Sequence, residues 1–187
     1  MSSDDITLLL QAARQGDRPA GDRVMALLYA ELQRLARQRL ALAGQPTALD
    51  ATALVHESWL RLQRAGTTPE FPDRGHFLAY AAKVMHNIVI DLIRARRAQR
   101  QGGDLQQVTL NTAIAELPPQ RDDEILRVHE ALAELAELDP RLAQVVEMRY
   151  FGGLLESEIA AALGVTERTV QRDWQKARLF LSMALSE

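Results

Sequence analysis

Close to the end of the chain, Arg168, Gln171, Arg172, Gln175 and Lys176 share one face of an amphipathic helical pattern. Their guanidinium, amide and ammonium groups donate hydrogen bonds to phosphates and base edges, and a helix that carries them fits a major groove. The opposite face holds Val170, Trp174, Ala177 and Leu181 at spacings of four, three and four, which makes one buried stripe. A second group lies earlier. Tyr80, Asn87 and Arg94 stand seven apart, so they line one flank of a helix. A ring that stacks, an amide that reads an edge and a guanidinium that holds a phosphate suit unstacked bases. The same spacing equally suits a half-buried tyrosine beside solvated polar residues. Arg94, Arg96, Arg97 and Arg100 then cluster at that helix's end, as a solvated terminus or a phosphate contact.

Other chemistry lacks its residues. Gly102-Gly103 is without the lysine of a phosphate-binding loop, and His56-Glu57 is not followed by a second histidine at metalloprotease spacing. The four histidines (His56, His76, His86, His129) are scattered, and no serine sits in a nucleophile elbow. With no cysteine, disulfides, thiolate metal sites and a cysteine nucleophile are excluded. The expectation is a protein that is not an enzyme and takes no metal or cofactor.

Among the 187 residues, aromatics are only 5% while Ala, Leu, Arg, Gln and Glu abound, which favours helices. No apolar run reaches the roughly 18 residues that span a bilayer, and the acidic MSSDDITLLL start is unlike a signal peptide. A cytoplasmic protein without membrane contact is expected. Residues 1–100 hold 14 Lys/Arg against 10 Asp/Glu, whereas residues 123–187 hold 7 against 12. The half with the DNA-reading pattern is thus acidic overall, and phosphate neutralisation supplies most non-specific affinity. It should need a larger partner to dock on DNA.

The helices that must position these groups follow from periodicity and breakers. A short helix ends at Arg14 before Gln15-Gly16-Asp17, and a second spans about Ala20 to Leu42. Gln45-Pro46-Thr47 is a break; Asp50 to Arg64 is a helix with Leu54, Val55, Trp59 and Leu62 inward. Gly66 to Gly75 is a loop, of a make-up that often carries binding residues. His76 to Arg100 is the most regular helix, and residues 101–122 read as a flexible linker. Helices follow over Asp123–Leu138 and Arg141–Phe151. Ser157–Leu163, Gly164 and a Thr166-capped helix then form a helix-turn-helix. The fold class is all-α: two small helical domains, 1–100 and 123–187, joined by the linker.

Three stretches carry a family resemblance. Phe77 to Arg94 (FLAYAAKVMHNIVIDLIR) resembles F-x-x-W-L…A-x-N-x-x-x-D-x-x-R. Leu138 to Leu154 (LDPRLAQVVEMRYFGGL) resembles the run that precedes the family's helix-turn-helix. Glu158 to Val170 (EIAAALGVTERTV) fits E-I-A-x-x-L-G-x-[ST]-x-x-T-V. The family is that of the bacterial extracytoplasmic-function sigma factors, with sigma region two over 1–100 and region four over 123–187. The resemblance implies core RNA polymerase, through its clamp helices and flap, and promoter DNA as partners, with the chain a monomer on polymerase. Asn87 falls where the family reads a flipped minus-ten base, with the 66–75 loop assisting and Tyr80 where tryptophan is usual; Arg94 and Arg97 extend that surface. Arg168, Thr169, Gln171, Arg172 and Lys176 would read the minus-thirty-five element. Leu54, Glu57 and Arg61 would meet the polymerase clamp.

Two departures stand out. Leu155 takes the place of the Ser or Thr that usually caps the first helix of the helix-turn-helix, so that helix start should fray or be held by packing. In place of D-L-V-Q-E-x-F-L-R the chain has Ala53 to Arg61 (ALVHESWLR), which loses the leading acid but keeps Glu57. Thr52 precedes Ala53, and T-A-L-V-H-E resembles a subgroup governed by Ser/Thr kinases. Phosphorylation of Thr52, or secondarily of Thr47, would restore negative charge there. The alternatives are a free-standing helix-turn-helix regulator with a sensing or dimerising N-terminal half, and a helical adaptor that touches no DNA.

Overall fold

Aspartates open four of the helices. A short carboxylate side chain accepts the backbone N–H groups that a first turn leaves without partners. Asp17 accepts from Ala20 N (3.1 Å), Asp50 from Ala53 N (2.7 Å) and Asp73 from His76 N (2.9 Å). Asp139 accepts from Arg141 N (3.1 Å), with Pro140 pre-set in the first turn behind it. The computed structural model describes residues 3–43, 49–64, 71–100 and 119–186, and every regular element among them is helical. In order these are α1 (Ser3–Arg14), α2 (Arg18–Leu42), α3 (Ala51–Arg64) and α4 (Arg74–Arg100). Then come α5 (Pro119–Leu138), α6 (Pro140–Val146), a π-helical segment (Glu147–Phe151), α7 (Glu156–Leu163) and α8 (Glu167–Ala184). No described helix is long and apolar enough to cross a membrane.

Helices α1 to α4 close around one core. Val24, Leu28 and Leu35 of α2, Leu54 and Val55 of α3, and Met85, Ile88 and Ile93 of α4 are all sealed from solvent. Burying each such side chain contributes about 1.5–3 kcal/mol, which holds the long α4 as a rigid beam. Leu135, Leu142, Ala143, Val146 and Ala177 form a second cluster between α5, α6 and α8. A third joins Val145, Met148, Leu154, Ile159 and Val170 around the helix-turn-helix, and Ala79 of α4 belongs to it.

The two halves are therefore packed on one another. Helix α5 starts at Pro119, earlier than its periodicity announced, because Asp122 is buried against Arg96 of α4 (2.7 Å). Leu126 of the same helix packs in the first core. Gly152 comes so close to α4 that a Cβ there would lie 3.4 Å from Ala79 Cα and 2.6 Å from both Met148 O and Leu154 Cδ1. Only a residue without a side chain allows that approach. Lys83 pairs with Glu147 (2.7 Å), and His76 Nε2 lies 3.2 Å from Ala162 O.

Arg39, in the last turn of α2, binds the halves from the other side. Its Nη2 donates to the carbonyls of Tyr150 (2.8 Å) and Phe151 (2.9 Å). Those carbonyls end the π-helical segment, where Gly152-Gly153 stops the helix and leaves them without intrahelical donors. The guanidinium carbon also sits 4.5 Å from the Phe151 ring centroid. Arg39 is only 2% exposed, and its Nε and Nη1 have no hydrogen-bond partner. Burial lowers its pKa to about 10, so it stays a cation at neutral pH.

Candidate nucleic-acid interface

Helix α8 is placed by its turn. Gly164 takes φ +64°, the left-handed conformation that ends α7 without strain on a Cβ. Thr166 then accepts from Thr169 N (3.3 Å) and opens α8. Val170 and Ala177 are fully buried, which turns Arg168, Gln171, Arg172, Gln175 and Lys176 outward, all exposed. Thr169 is half-buried, its hydroxyl 3.0 Å from that of Thr166. Asp173, on the inner side of α8, is 0% exposed and accepts from Arg141 Nε (2.8 Å).

The missing cap at Leu155 is compensated. Leucine offers no acceptor to the first turn of α7, but Glu158 Oε2 accepts from Leu155 N (2.8 Å). Glu156 adds a second tie: it accepts from Arg149 (2.5 Å) and from Gln171 Nε2 (2.7 Å). The helix start is thus held by side chains of three elements, and these bonds keep the Glu156 carboxyl below its ordinary pKa.

On α4, Asn87 and Arg94 are exposed, while Tyr80 is half-buried with its ring 5.4 Å from that of Phe71. Ala79 and His86, which meet the C-terminal half, lie one residue earlier and so on a neighbouring flank. The Tyr80–Asn87–Arg94 row stays uncovered by that contact. Arg97 is half-exposed and pairs with Asp123 (3.3 Å). Within the 66–75 loop, residues 66–70 lie outside the described residues; Phe71 is buried against Phe77, and Asp73 caps α4.

On α3 the residues implied to meet polymerase divide. Leu54 is 0% exposed in the first core, so it supports the helix and cannot touch a partner; that expectation is corrected. Glu57 and Arg61 are part-exposed and bonded to each other (3.3 Å), and Arg61 also pairs with Asp91 of α4 (2.8 Å). Burial alone would lower the pKa of Arg61, but Asp91 and Glu57 together outweigh it and raise the value. Thr52 is exposed in the first turn of α3, with its hydroxyl 3.4 Å from Gln33 Nε2. Thr47 lies outside the described residues.

Sequence reasoning missed five residues. Arg39 follows Leu35 and Ala36 by four and three, on the buried stripe. Asp173 likewise sits three after Val170 and four before Ala177, inside the apolar period. Glu156 and the His86–His129 pair gave no such signal, since their partners are distant in the chain. Among the described residues no group of histidines, aspartates and glutamates could hold a metal ion. A comparison with curated proteins finds no match. A family model described as ECF sigma factor matches residues 3–187.

Proposed function

The chain belongs to the ECF sigma factor family, non-enzymatic factors that act with core RNA polymerase on promoter DNA in transcription initiation, and from that premise we propose how its surfaces divide the work. The outward face of α8 reads the upstream, minus-thirty-five element through Arg168, Gln171, Arg172 and Lys176, with Thr169 beside them. The α4 row holds the melted minus-ten strand: Asn87 reads a base, Tyr80 offers a ring edge, and Arg94 and Arg97 meet phosphates. Glu57 and Arg61 on α3 face the polymerase clamp. The observation that carries this reading is that the polar residues of both rows are exposed, with Tyr80 and Thr169 half-buried beside them, on helices whose opposite faces are sealed in cores. Rigid positioning of a few donors is what base reading requires.

Transcription in vitro from a promoter pool, with core polymerase, tests the reading. Transcripts should depend on the added protein, and Asn87→Ala should cut them about 5- to 160-fold, the cost of a lost base contact of about 1–3 kcal/mol. Duplex DNA binding by the chain alone, as a dimer and with no gain in transcripts, would instead mark a free-standing regulator.

Thr52 carries a finer proposal, that phosphorylation by a Ser/Thr kinase promotes polymerase binding. Asp50 already caps α3, so the Thr52 hydroxyl is not needed there. A phosphoryl group would add about −1.5 to −2 charges near a helix N-terminus, where the dipole favours anions, one residue from the alanine that replaces the family's acid. Thr52→Glu is expected to bind core polymerase roughly two- to fivefold more tightly than Thr52→Ala. Equal affinities of the two variants, with no effect of kinase treatment on the wild type, would remove the switch.

A further inference from the structure

A chain of contacts runs from the core to the reading face. The Trp174 ring, half-buried between the second and third clusters, stacks with the Arg149 guanidinium at 4.8 Å. Arg149 donates to Glu156 Oε1, and Glu156 Oε2 accepts from Gln171 Nε2 at 2.7 Å. Gln171 stands among the exposed residues of α8 that face outward. An ionised carboxylate only accepts hydrogen bonds. The amide of Gln171 must therefore turn its NH2 group to Glu156, which commits one of its two N–H donors there and aims its carbonyl oxygen at whatever approaches the helix.

The orientation matters because an unrestrained glutamine can present either end. With its NH2 it serves the two major-groove acceptors of guanine or the O4 acceptor of thymine. With its oxygen it accepts from the exocyclic amine of adenine or cytosine. We propose that Glu156 is a positioning residue for base selection: it fixes the polarity of the Gln171 amide, so that this position of α8 selects an amine-bearing base, adenine or cytosine, over guanine and thymine. Arg149, held on Trp174, keeps the carboxylate in place. The proposal rests on the reading that α8 contacts bases, and the experiment below separates the two.

The full-length protein, core RNA polymerase and a template pool randomised over the upstream promoter region are transcribed, and the promoters that yield transcripts are sequenced. Wild type should enrich adenine or cytosine at one position, and Gln171→Ala should flatten that position alone. Glu156→Ala should let guanine and thymine rise there by roughly three- to tenfold, the worth of one hydrogen bond, while other positions keep their order. Glu156→Gln keeps the shape of the site, but with its oxygen held by Arg149 it presents its NH2 group to Gln171, so it should shift the same position toward guanine and thymine even if Glu156→Ala folds poorly. A base profile unchanged in both Glu156 variants, with the Gln171→Ala effect present, would overturn the positioning role. No change in Gln171→Ala would overturn base reading by this residue, and the proposal with it.

Discussion

Replacing Arg39 by alanine is expected to release the C-terminal half from the N-terminal half without unfolding either core. The guanidinium makes two charge-assisted bonds to the Tyr150 and Phe151 carbonyls and stacks on the Phe151 ring. Bonds of this kind are worth about 1.5–3 kcal/mol each, and the burial that lowers the Arg39 pKa to about 10 offsets part of that. A net loss of about 2–3 kcal/mol shifts the docking equilibrium roughly 30- to 160-fold. Small-angle scattering should report a larger radius of gyration for Arg39→Ala. Arg39→Met keeps the packing of the stem but orphans both carbonyls, and should fall between the two. An unchanged radius in both variants would show that the other contacts suffice.

The release bears on function. Elements centred near minus ten and minus thirty-five are roughly 25 base pairs apart, or about 85 Å at 3.4 Å per step. A folded chain of this length has a radius of gyration of only about 16 Å when its parts are packed together. Under the proposed function the docked halves must part before both elements are read at once. Arg39→Ala should then bind core polymerase more tightly than wild type, because it has already met part of the cost of opening.

The second large effect is expected from pH. His86 sits at the junction of the halves, its ring 4.6 Å from that of Phe151 and its Nε2 3.2 Å from His129 Nδ1, one neutral ring donating to the other. Burial, then the proximity of His129 and Arg39, lowers its pKa to about 3. His129 is lowered too, by burial and then by Arg94, with Glu130 and Asp91 pulling the other way. Once exposed, His86 regains an ordinary value near 6.5. The opened or unfolded form therefore takes up a proton that the closed form refuses. Stability from this site is fully present above about pH 6.5 and is lost as pH falls from there toward 3. At pH 5 the loss amounts to about 2 kcal/mol. Thermal melts of wild type and His86→Gln at pH 7 and pH 5 should show the gap between them closing in acid. Parallel losses in the two proteins would acquit the histidine.

Much of the fold was legible because it is local. The stripe of Val24, Leu28, Leu32 and Leu35, the break at Gly16-Asp17 and the Gly164–Thr166 turn all act within one or two helical turns. Sequence periodicity reports such features directly. The outward face of α8 was legible for the same reason. The junction of the halves was not. Arg39 meets carbonyls 111 and 112 residues away, and a carbonyl has no residue-type signature. Leu54 misled in the opposite direction: a motif position shared with a family suggested contact with a partner, although its own apolar period already placed it inward. Glu156 lay hidden because a lone acid at a helix start reads as a dipole complement, and only geometry shows which amide it holds.

The π-helical segment has a consequence for how this chain tolerates changes of length. Gly152 N donates to Glu147 O, five residues back, where an α-helix would reach back four. One residue more than an α-turn needs is thus stored between α6 and the helix-turn-helix. Each residue of an α-helix advances the azimuth by about 100°. Losing a single codon here would let the helix run on in ordinary register and swing everything after it by about that angle. Tyr150 and Phe151 would leave Arg39, and α8 would face another way. Over these five positions, the number of residues aims the reading helix as much as their identity does.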